Sequence, residues 1–344
     1  MRFEDILKIC IVITWKSLIL TMFVVLMGWG AVMTLGSWSW WGAWFGMELT
    51  SFFFIPFLGY GKLGSLGFNL WEYFMIQSVG SGVYILGMVL HPQSSLMLLS
   101  FDSFLNFVSM LGVLLKLGMP PFHWWSLLLV DLLNWKEFFV FSSLLKIPPV
   151  VVMLNLCALD VLFVILLMFV VLLVVVQGAV EASLRRFVAY SSMVNLMWVM
   201  LGGLVSFKSS LCFMVLYFLL LALFCAMMHM NSVSTVSSMC YSNLSDSKLD
   251  QMVFLFLMWS LMGFPPTLGF LFKLDILASL WEGVGVALAS FVAFLSVVLL
   301  PIYMQFMYKV SLVSFFHLPT NRLGLHWSNY LLVILISTTF FFLI

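Results

Sequence analysis

Charged side chains are scarce in this sequence. Aspartate, glutamate, lysine and arginine together make up 8% of the 344 residues, whereas 64% are hydrophobic. A soluble domain of this size carries about 25% charged residues, because its surface must face water. The shortage excludes a soluble enzyme, a secreted scaffold, a nucleic-acid-binding protein and a disordered chain. We therefore expect the chain to lie in a bilayer, with membrane lipids rather than nucleic acid around it.

Residues that commonly bind redox centres are few and are not spaced as ligand sets. None of the five cysteines forms a Cys-x-x-Cys pair, and the five histidines never lie four residues apart. Such spacings are typical of iron–sulfur, haem and zinc sites. We therefore expect no metal or cofactor in this chain. The first sixteen residues also lack a small-residue cleavage site, which predicts insertion without removal of a leader.

Long apolar stretches dominate the remaining sequence. A transmembrane helix needs about 20 apolar residues, and polar or Gly/Pro clusters divide the chain into eleven such stretches. We predict helices at 17–36, 39–58, 70–90, 103–129, 138–155, 159–176, 187–204, 211–230, 251–281, 283–308 and 328–344. The expected fold class is an all-α polytopic membrane protein with about eleven transmembrane helices.

The lysines and arginines are unevenly distributed between the two sides of the membrane that these helices define. Of the fourteen, ten fall on the side of the N-terminus, one on the opposite side and three within helices. The ten are Arg2, Lys8, Lys16, Lys62, Lys136, Arg185, Arg186, Lys248, Lys309 and Arg322, and the single one is Lys208. Because positive charge concentrates on the cytoplasmic or matrix side, we predict the N-terminus on that side.

The two longest predicted helices of the first and second halves, the fourth and the ninth, contain a Pro-Pro pair near their middle, in GMPP at 118–121 and GFPP at 263–266, and the fifth repeats such a pair at 148–149. Proline removes a backbone donor and clashes with the preceding turn, so both helices should break inside the membrane. The broken helices lie five apart along the chain, which indicates two halves of opposite orientation. We predict a matrix-side segment 1–16, inverted five-helix halves 17–155 and 159–308, and a loop with a C-terminal helix at 309–344.

Four charged residues lie in the middle of predicted helices: Glu48, Lys116, Lys146 and Lys273. Each costs on the order of 3 kcal/mol to insert at the bilayer centre, so each should face the protein interior, a partner charge or water. Three lysines cannot all be neutralised by one mid-helix acid. Amines and carboxylic acids buried in apolar surroundings exchange protons closer to neutral pH than free ones do. We interpret the four as a candidate proton relay; ion pairs that only stabilise packing are the alternative.

Two histidines are weaker candidates for the same relay. His123 follows the first Pro-Pro pair in PPFHWW, and His229 lies near the end of the predicted helix 211–230. A histidine among interfacial tryptophans is equally typical of an aromatic belt, and one near a helix end is typical of simple packing.

Four stretches around these residues resemble the antiporter-like subunits of respiratory complex I, the NADH:ubiquinone oxidoreductase. They are WFGMELTSFFFIPFL around Glu48, LLKLGMPPFHWW around Lys116, SLMGFPPTLGFLFKL around Lys273 and QGAVEASLRRFVAYSSMVNLMW between the halves. Lys146 departs from the family pattern, because it precedes Ile-Pro-Pro instead of standing in a W-Q-K-x-A-P setting. Its distance of 23 residues from His123 nevertheless fits the family better than that of Lys136.

The resemblance implies a function and a location. Members of this family are membrane-arm modules of the mitochondrial inner membrane that partner other complex I subunits. They bind no redox cofactor, whereas NADH, FMN, iron–sulfur clusters and ubiquinone belong to other subunits. The family implies a switchable Glu48–Lys116 ion pair, Lys146 as the connecting group and Lys273 as the group that passes the proton onward.

Two other functions remain open from the sequence. A free-standing cation/proton antiporter would share the fold, but the sequence shows no cluster of mid-helix carboxylates for a dehydrated cation. A non-conducting structural membrane subunit would share the partners, but it should have lost its mid-helix charges.

Overall fold

The computed structural model describes residues 3–59, 67–90, 99–156, 169, 172–174, 177–178, 181, 183–231, 248–265, 267–283, 289–294 and 296. Within these ranges the regular structure is helical, which confirms the predicted all-α class, while the count of about eleven transmembrane helices stays a prediction. We number the helices α1 (Phe3–Leu35), α2 (Trp40–Gly59), α3 (Gly67–Val89), α4 (Leu99–Leu117), α5 (Trp124–Leu132), α6 (Trp135–Ser142), α7 (Ile147–Leu156), α8 (Leu184–Gly203), α9 (Phe207–Met230), α10 (Lys248–Met262) and α11 (Leu268–Gly283).

The helix boundaries differ from the predicted ones chiefly at breaks and at the first helix. Three predicted helices are each divided in two, so that α4–α5, α6–α7 and α10–α11 replace 103–129, 138–155 and 251–281. Helix α1 begins at Phe3 and not near residue 17, because a helix can continue beyond the bilayer boundary. The predicted helices 159–176, 283–308 and 328–344 lie mainly or wholly outside the described residues.

Three described segments are long and apolar enough to cross a membrane: Ser17–Leu35, Trp135–Leu156 and Phe207–Met230. The broken helices contribute the shorter apolar segments Phe104–Leu117 and Met252–Met262. Length and hydropathy together therefore indicate fewer crossings within the described residues than the eleven apolar stretches of the whole sequence do.

The chain divides into two compact units, Met1–Leu132 with Val140–Leu156, and Leu133–Phe139 with Cys157–Ile344. In the first unit, α7 packs against α1, α2 and α4, and its residues from Pro148 to Leu154 are buried. In the second unit, α8 packs against α9 and α11, and every residue from Phe187 to Gly202 is buried. A helix without a polar face is typical of the centre of a membrane bundle.

The two Pro-Pro breaks begin with the same backbone turn. Gly118 has φ +63° and Gly263 has φ +79°, the left-handed conformation that glycine adopts without a side-chain clash. Each glycine donates to the carbonyl three residues earlier (3.2 Å), and the following residue donates five residues back (3.3 Å in α4, 3.0 Å in α10). This is the Schellman pattern that ends a helix. Helices α4 and α10 therefore stop before their prolines.

The third interruption surrounds Lys146. Residues Ser143–Lys146 form turns between α6 and α7, and the backbone N–H of Leu145 reaches back five residues to Val140 at 3.4 Å. Pro148 and Pro149 follow at once, and a proline ring clashes with the carbonyl four residues before it. The prolines thus place Lys146 in irregular backbone and not within a continuous helix.

Replacing Gly263 by alanine should destabilise the protein by about 1–2 kcal/mol or more, because left-handed backbone disfavours a Cβ. The added Cβ would also lie 3.0 Å from Cδ of Lys273. Gly82→Ala in α3 is the matched control, since its Cβ would meet nothing within 4 Å. The measurement is the thermal unfolding midpoint in detergent. Equal midpoints for the two variants would contradict the expected strain at Gly263.

Candidate functional site

Glu48 and Lys116 form an ion pair between α2 and α4. The lysine Nζ donates to Oε1 of Glu48 at 2.6 Å. The Lys116 side chain is 1% exposed, whereas that of Glu48 is 31% exposed. A single ammonium buried this deeply would be strongly unfavourable, so the carboxylate stabilises its charge. Any movement of Glu48 would leave Lys116 charged without its partner.

The end of α4 that carries Lys116 is held by a side chain from α3. Nε2 of Gln77 donates to the backbone carbonyl of Lys116 at 3.2 Å. The last carbonyls of a helix have no partner within the helix, and in a membrane they must find one elsewhere. Gln77 satisfies one of them and thereby fixes the position from which Lys116 extends.

Lys146 opens on the same cavity as Lys116. It is 5% exposed. Both lysines line a cavity of the first unit in which the centre of a water molecule can occupy a volume of about 10 Å³. A single water needs this much space. Lys136, the other lysine considered for this role, is exposed on α6.

Four aromatic rings, three of which line the cavity, contact one another in a closed series. The ring centroids are 5.4 Å apart for Phe54–Tyr73, 5.7 Å for Tyr73–Trp125, 6.1 Å for Trp125–Phe141 and 5.9 Å for Phe141–Phe54. Sequence reasoning missed them, because aromatic residues are common throughout the chain. One signal was available: Tyr73 and Gln77 lie four residues apart, so they share one face of α3.

Lys273 lies in the second unit, beside the second helix break. Its Nζ donates to the carbonyl of Met262 at 2.8 Å and lies 5.7 Å from the ring centroid of Trp198. The residue is 8% exposed. A cation at the C-terminal end of a helix is favourable, because unpaired carbonyls there carry partial negative charge. Asp275, two residues further on, is exposed.

A buried amide supports α10 in the same way as Gln77 supports α4. Nδ2 of Asn195 donates to the carbonyl of Leu261 at 3.3 Å. Leu261 lies two residues before Gly263, as Lys116 lies two residues before Gly118. Both breaks therefore combine one left-handed glycine with one amide donor to the same carbonyl position. No sequence pattern indicated that either amide would donate to a carbonyl at a helix break.

The two candidate histidines occupy different environments. His123 is 9% exposed and directly precedes α5, and its carbonyl accepts a hydrogen bond from Oγ of Ser126 at 2.7 Å. It is not among the described residues that line the lysine cavity. His229 is exposed in the last turn of α9. The structure thus brings together Glu48, Lys116 and Lys146, while Lys273 and His229 belong to the second unit.

Within the described ranges, no three residues of the types His, Cys, Asp and Glu are grouped so that they could hold a metal ion. The polar chemistry of the site is that of ammonium, carboxylate, amide and hydroxyl groups. These groups can hold and transfer protons, and they need no electron carrier to do so.

Buried lysines beside interrupted helices, one of them paired with a carboxylate from another helix, define a membrane protein of the ion-translocating class. Residues 37–300, more than half of the chain, match the family model described as NADH:quinone oxidoreductase/Mrp antiporter, TM. The chain belongs to this family, as its motifs predicted.

Individual relatives agree with the family match over most of the chain. NADH-ubiquinone oxidoreductase chain 2 of Equus asinus is 25% identical over 328 residues, 91% of each protein. The protein of the same name from Locusta migratoria is 23% identical over 83% of each. A chain of respiratory complex I from Thermus thermophilus superposes with TM-score 0.69 and 16% identity, covering 93% of this chain and 82% of that one. At 16% identity, this structural similarity is evidence for a shared fold alone.

Proposed function

We propose that this chain is an antiporter-like subunit of the membrane arm of mitochondrial respiratory complex I and that it moves protons across the inner membrane. One observation carries the proposal: Lys116 is paired with Glu48 and opens on the same cavity as Lys146. The family to which the chain belongs, and the relatives named above, are of the NADH:quinone oxidoreductase type. NADH oxidation and ubiquinone reduction then take place in partner subunits.

The proposed cycle begins at the ion pair. While the Glu48 carboxylate lies 2.6 Å from Lys116, it stabilises the proton on the ammonium. When Glu48 moves away, the charge on Lys116 loses its compensation and a proton passes to Lys146 across their shared cavity. Lys273 then passes a proton toward the opposite side of the membrane. His123 and His229 remain weaker candidates for connecting the two halves.

Matching breaks support the proposal of two halves built alike. The glycine turn and the amide donor recur at Gly118 with Gln77 and at Gly263 with Asn195. Paired interruptions of this kind mark the pathway in transporters that consist of repeats. Each half would then contribute one buried lysine at its own broken helix.

A free-standing antiporter is the second candidate, because the family description also includes the Mrp antiporters. Purification without cross-linking separates the two. A complex I subunit should migrate on a native gel with a large assembly that oxidises NADH, whereas a free-standing exchanger should migrate alone and exchange cations.

Lys146→Ala should lower NADH-driven proton translocation about ten-fold in assembled complex, while Lys136→Ala leaves it unchanged. The alanine variant removes the connecting amine, and water that enters the enlarged cavity restores only part of the transfer. The measurement is the number of protons moved per NADH oxidised in proteoliposomes, with assembly checked on a native gel. Unchanged translocation in intact Lys146→Ala complex would leave Lys146 as a structural charge and favour a non-conducting subunit.

A further inference from the structure

Two residues that line the lysine cavity each have a buried polar atom without a hydrogen-bond partner among the described residues. The Tyr73 hydroxyl and the Trp125 indole N–H are each enclosed and make no hydrogen bond within the described part of the chain. Both residues line the cavity, and they are 1% and 2% exposed. A buried polar atom without any hydrogen-bond partner is unfavourable, and natural proteins rarely contain one. Two such atoms at one small cavity indicate a polar ligand.

The other neutral polar side chains at this cavity are already bonded to backbone carbonyls. Oγ1 of Thr50 donates to Met47 at 2.9 Å, and Oγ of Ser51 to the same carbonyl at 3.1 Å. Nε2 of Gln77 donates to Lys116 at 3.2 Å. Among the described residues that line the cavity, the buried side-chain atoms without any hydrogen-bond partner are the Tyr73 hydroxyl and the Trp125 indole nitrogen.

We infer that this cavity is a binding site for one water molecule, which Tyr73 and Trp125 hold between Lys116 and Lys146. The inference rests on the proposed function and assigns new positioning residues to it. Water accepts two hydrogen bonds and donates two. The Trp125 N–H and the Lys116 ammonium supply the two donors, whereas the Tyr73 oxygen and the Lys146 amine supply the two acceptors. The cavity has room for one such molecule.

The transfer through this water conserves every atom. Lys116 gives one ammonium proton to the water oxygen, and the same water gives one of its own protons to the lone pair of the Lys146 amine. Lys116 ends as an amine, Lys146 ends as an ammonium, the water is restored, and no electron moves. Tyr73 and Trp125 keep their protons throughout, so they position the water and do not carry the charge.

The closed series of aromatic rings gives the site its rigidity. Tyr73 and Trp125 contact each other directly, with centroids 5.7 Å apart, and each contacts a further phenylalanine of the series. A fixed water is a better proton conductor than a mobile one, because its hydrogen bonds are already directed at donor and acceptor. Tyr73→Phe removes the hydroxyl and keeps the ring, so it tests this positioning alone, whereas Trp125→Phe removes the N–H together with the five-membered part of the indole.

The test is Tyr73→Phe and Trp125→Phe in assembled complex, with Tyr84→Phe as the matched control. Tyr84 lies on the same helix, is 1% exposed and likewise has no described partner for its hydroxyl, but it does not line the cavity. We expect proton translocation per NADH to fall about five- to ten-fold in each cavity variant, the effect of one lost hydrogen bond in the transfer path. Tyr84→Phe should leave it unchanged.

A spectroscopic measurement separates water positioning from packing. Infrared difference spectra between the oxidised and the turning-over complex should show an O–H band of a strongly bonded water that is lost in Tyr73→Phe and retained in Tyr84→Phe. If Tyr73→Phe does not assemble, the band and rate of Trp125→Phe decide the question.

Normal translocation and an unchanged band in the cavity variants, with Lys146→Ala impaired, would overturn the water site and leave the proposed function standing. If Lys146→Ala and the cavity variants all translocate normally, the proposed function fails together with the inference. Impaired cavity variants that also lose the water band support both.

Discussion

Replacing Lys116 by methionine should lower NADH-driven proton translocation about a hundred-fold, the effect of removing a group that itself transfers the proton. Methionine has nearly the same length as lysine and suits an apolar interior, so the side chain should still pack where Lys116 is 1% exposed. The measurement is proton uptake by proteoliposomes per NADH oxidised, normalised to the amount of assembled complex.

A double-mutant cycle with Glu48→Gln separates the structural role of the ion pair from the functional one. Glu48→Gln alone leaves the buried ammonium of Lys116 without compensation, and breaking such a pair costs about 3–5 kcal/mol of stability. Lys116→Met alone leaves the half-buried Glu48 carboxylate without its ion-pair partner, which is less unfavourable because this group is partly exposed. The double variant removes both charges, so it should recover much of the stability without recovering translocation.

The cycle also defines the outcome that would contradict the relay. If the double variant recovers both assembly and translocation, the Glu48–Lys116 pair serves packing alone. If Lys116→Met translocates at the normal rate, Lys116 is not part of the proton path. Lys208→Met, at an exposed position of α9, controls for the general loss of a lysine.

The sequence predicted the fold class and the helix breaks because both depend on local chemistry. Apolar stretches of sufficient length become helices in a bilayer, and a Pro-Pro pair in the interior of a helix ends it before the prolines. The glycine before each pair then adopts the left-handed turn, as at Gly118 and Gly263. The start of α1 was wrong by fourteen residues, because the rule for membrane crossing gives the apolar part of a helix and not its full length.

The candidate site was predictable only in part. Glu48 and the three lysines were identified by their position in apolar stretches, because inserting an ionisable group into the membrane is unfavourable and such groups are usually functional. The amide contacts could not be predicted, because Gln77 lies 39 residues from its partner and Asn195 lies 66 residues from its own. Nor did any local pattern indicate that Tyr73 and Trp125 share a cavity with two lysines. Such sites depend on tertiary packing, which a single sequence does not specify residue by residue.

The two amides also show how irregular backbone is tolerated at membrane depth. A broken helix exposes carbonyls that lipid cannot satisfy. In α4 one of these accepts from Gln77, and in α10 two successive carbonyls accept from Asn195 and Lys273. Lys273 therefore has two possible roles, as a structural donor and as a proton carrier.

Lys273→Arg should distinguish these roles, with an expected loss of about a hundred-fold in proton translocation despite normal assembly. Arginine keeps the positive charge and can donate to the Met262 carbonyl, and its cation can stack on Trp198 as lysine does. It does not release a proton in proteins, however, because the guanidinium is always charged. If Lys273 only donates a structural hydrogen bond, arginine should preserve its function. If Lys273 carries protons, arginine should not.

Asn195→Leu is the matched control, because it removes the neighbouring donor to α10 without touching an ionisable group. Losing that hydrogen bond should cost about 1–3 kcal/mol of stability, measured as a lower thermal midpoint, and leave translocation per assembled complex close to normal. Lys273→Met should combine both defects, since it removes a carbonyl partner and the titratable amine together. If Lys273→Arg translocates normally, or if Lys273→Met behaves like Asn195→Leu in both assays, then Lys273 stabilises the break and another group carries the proton through the second half.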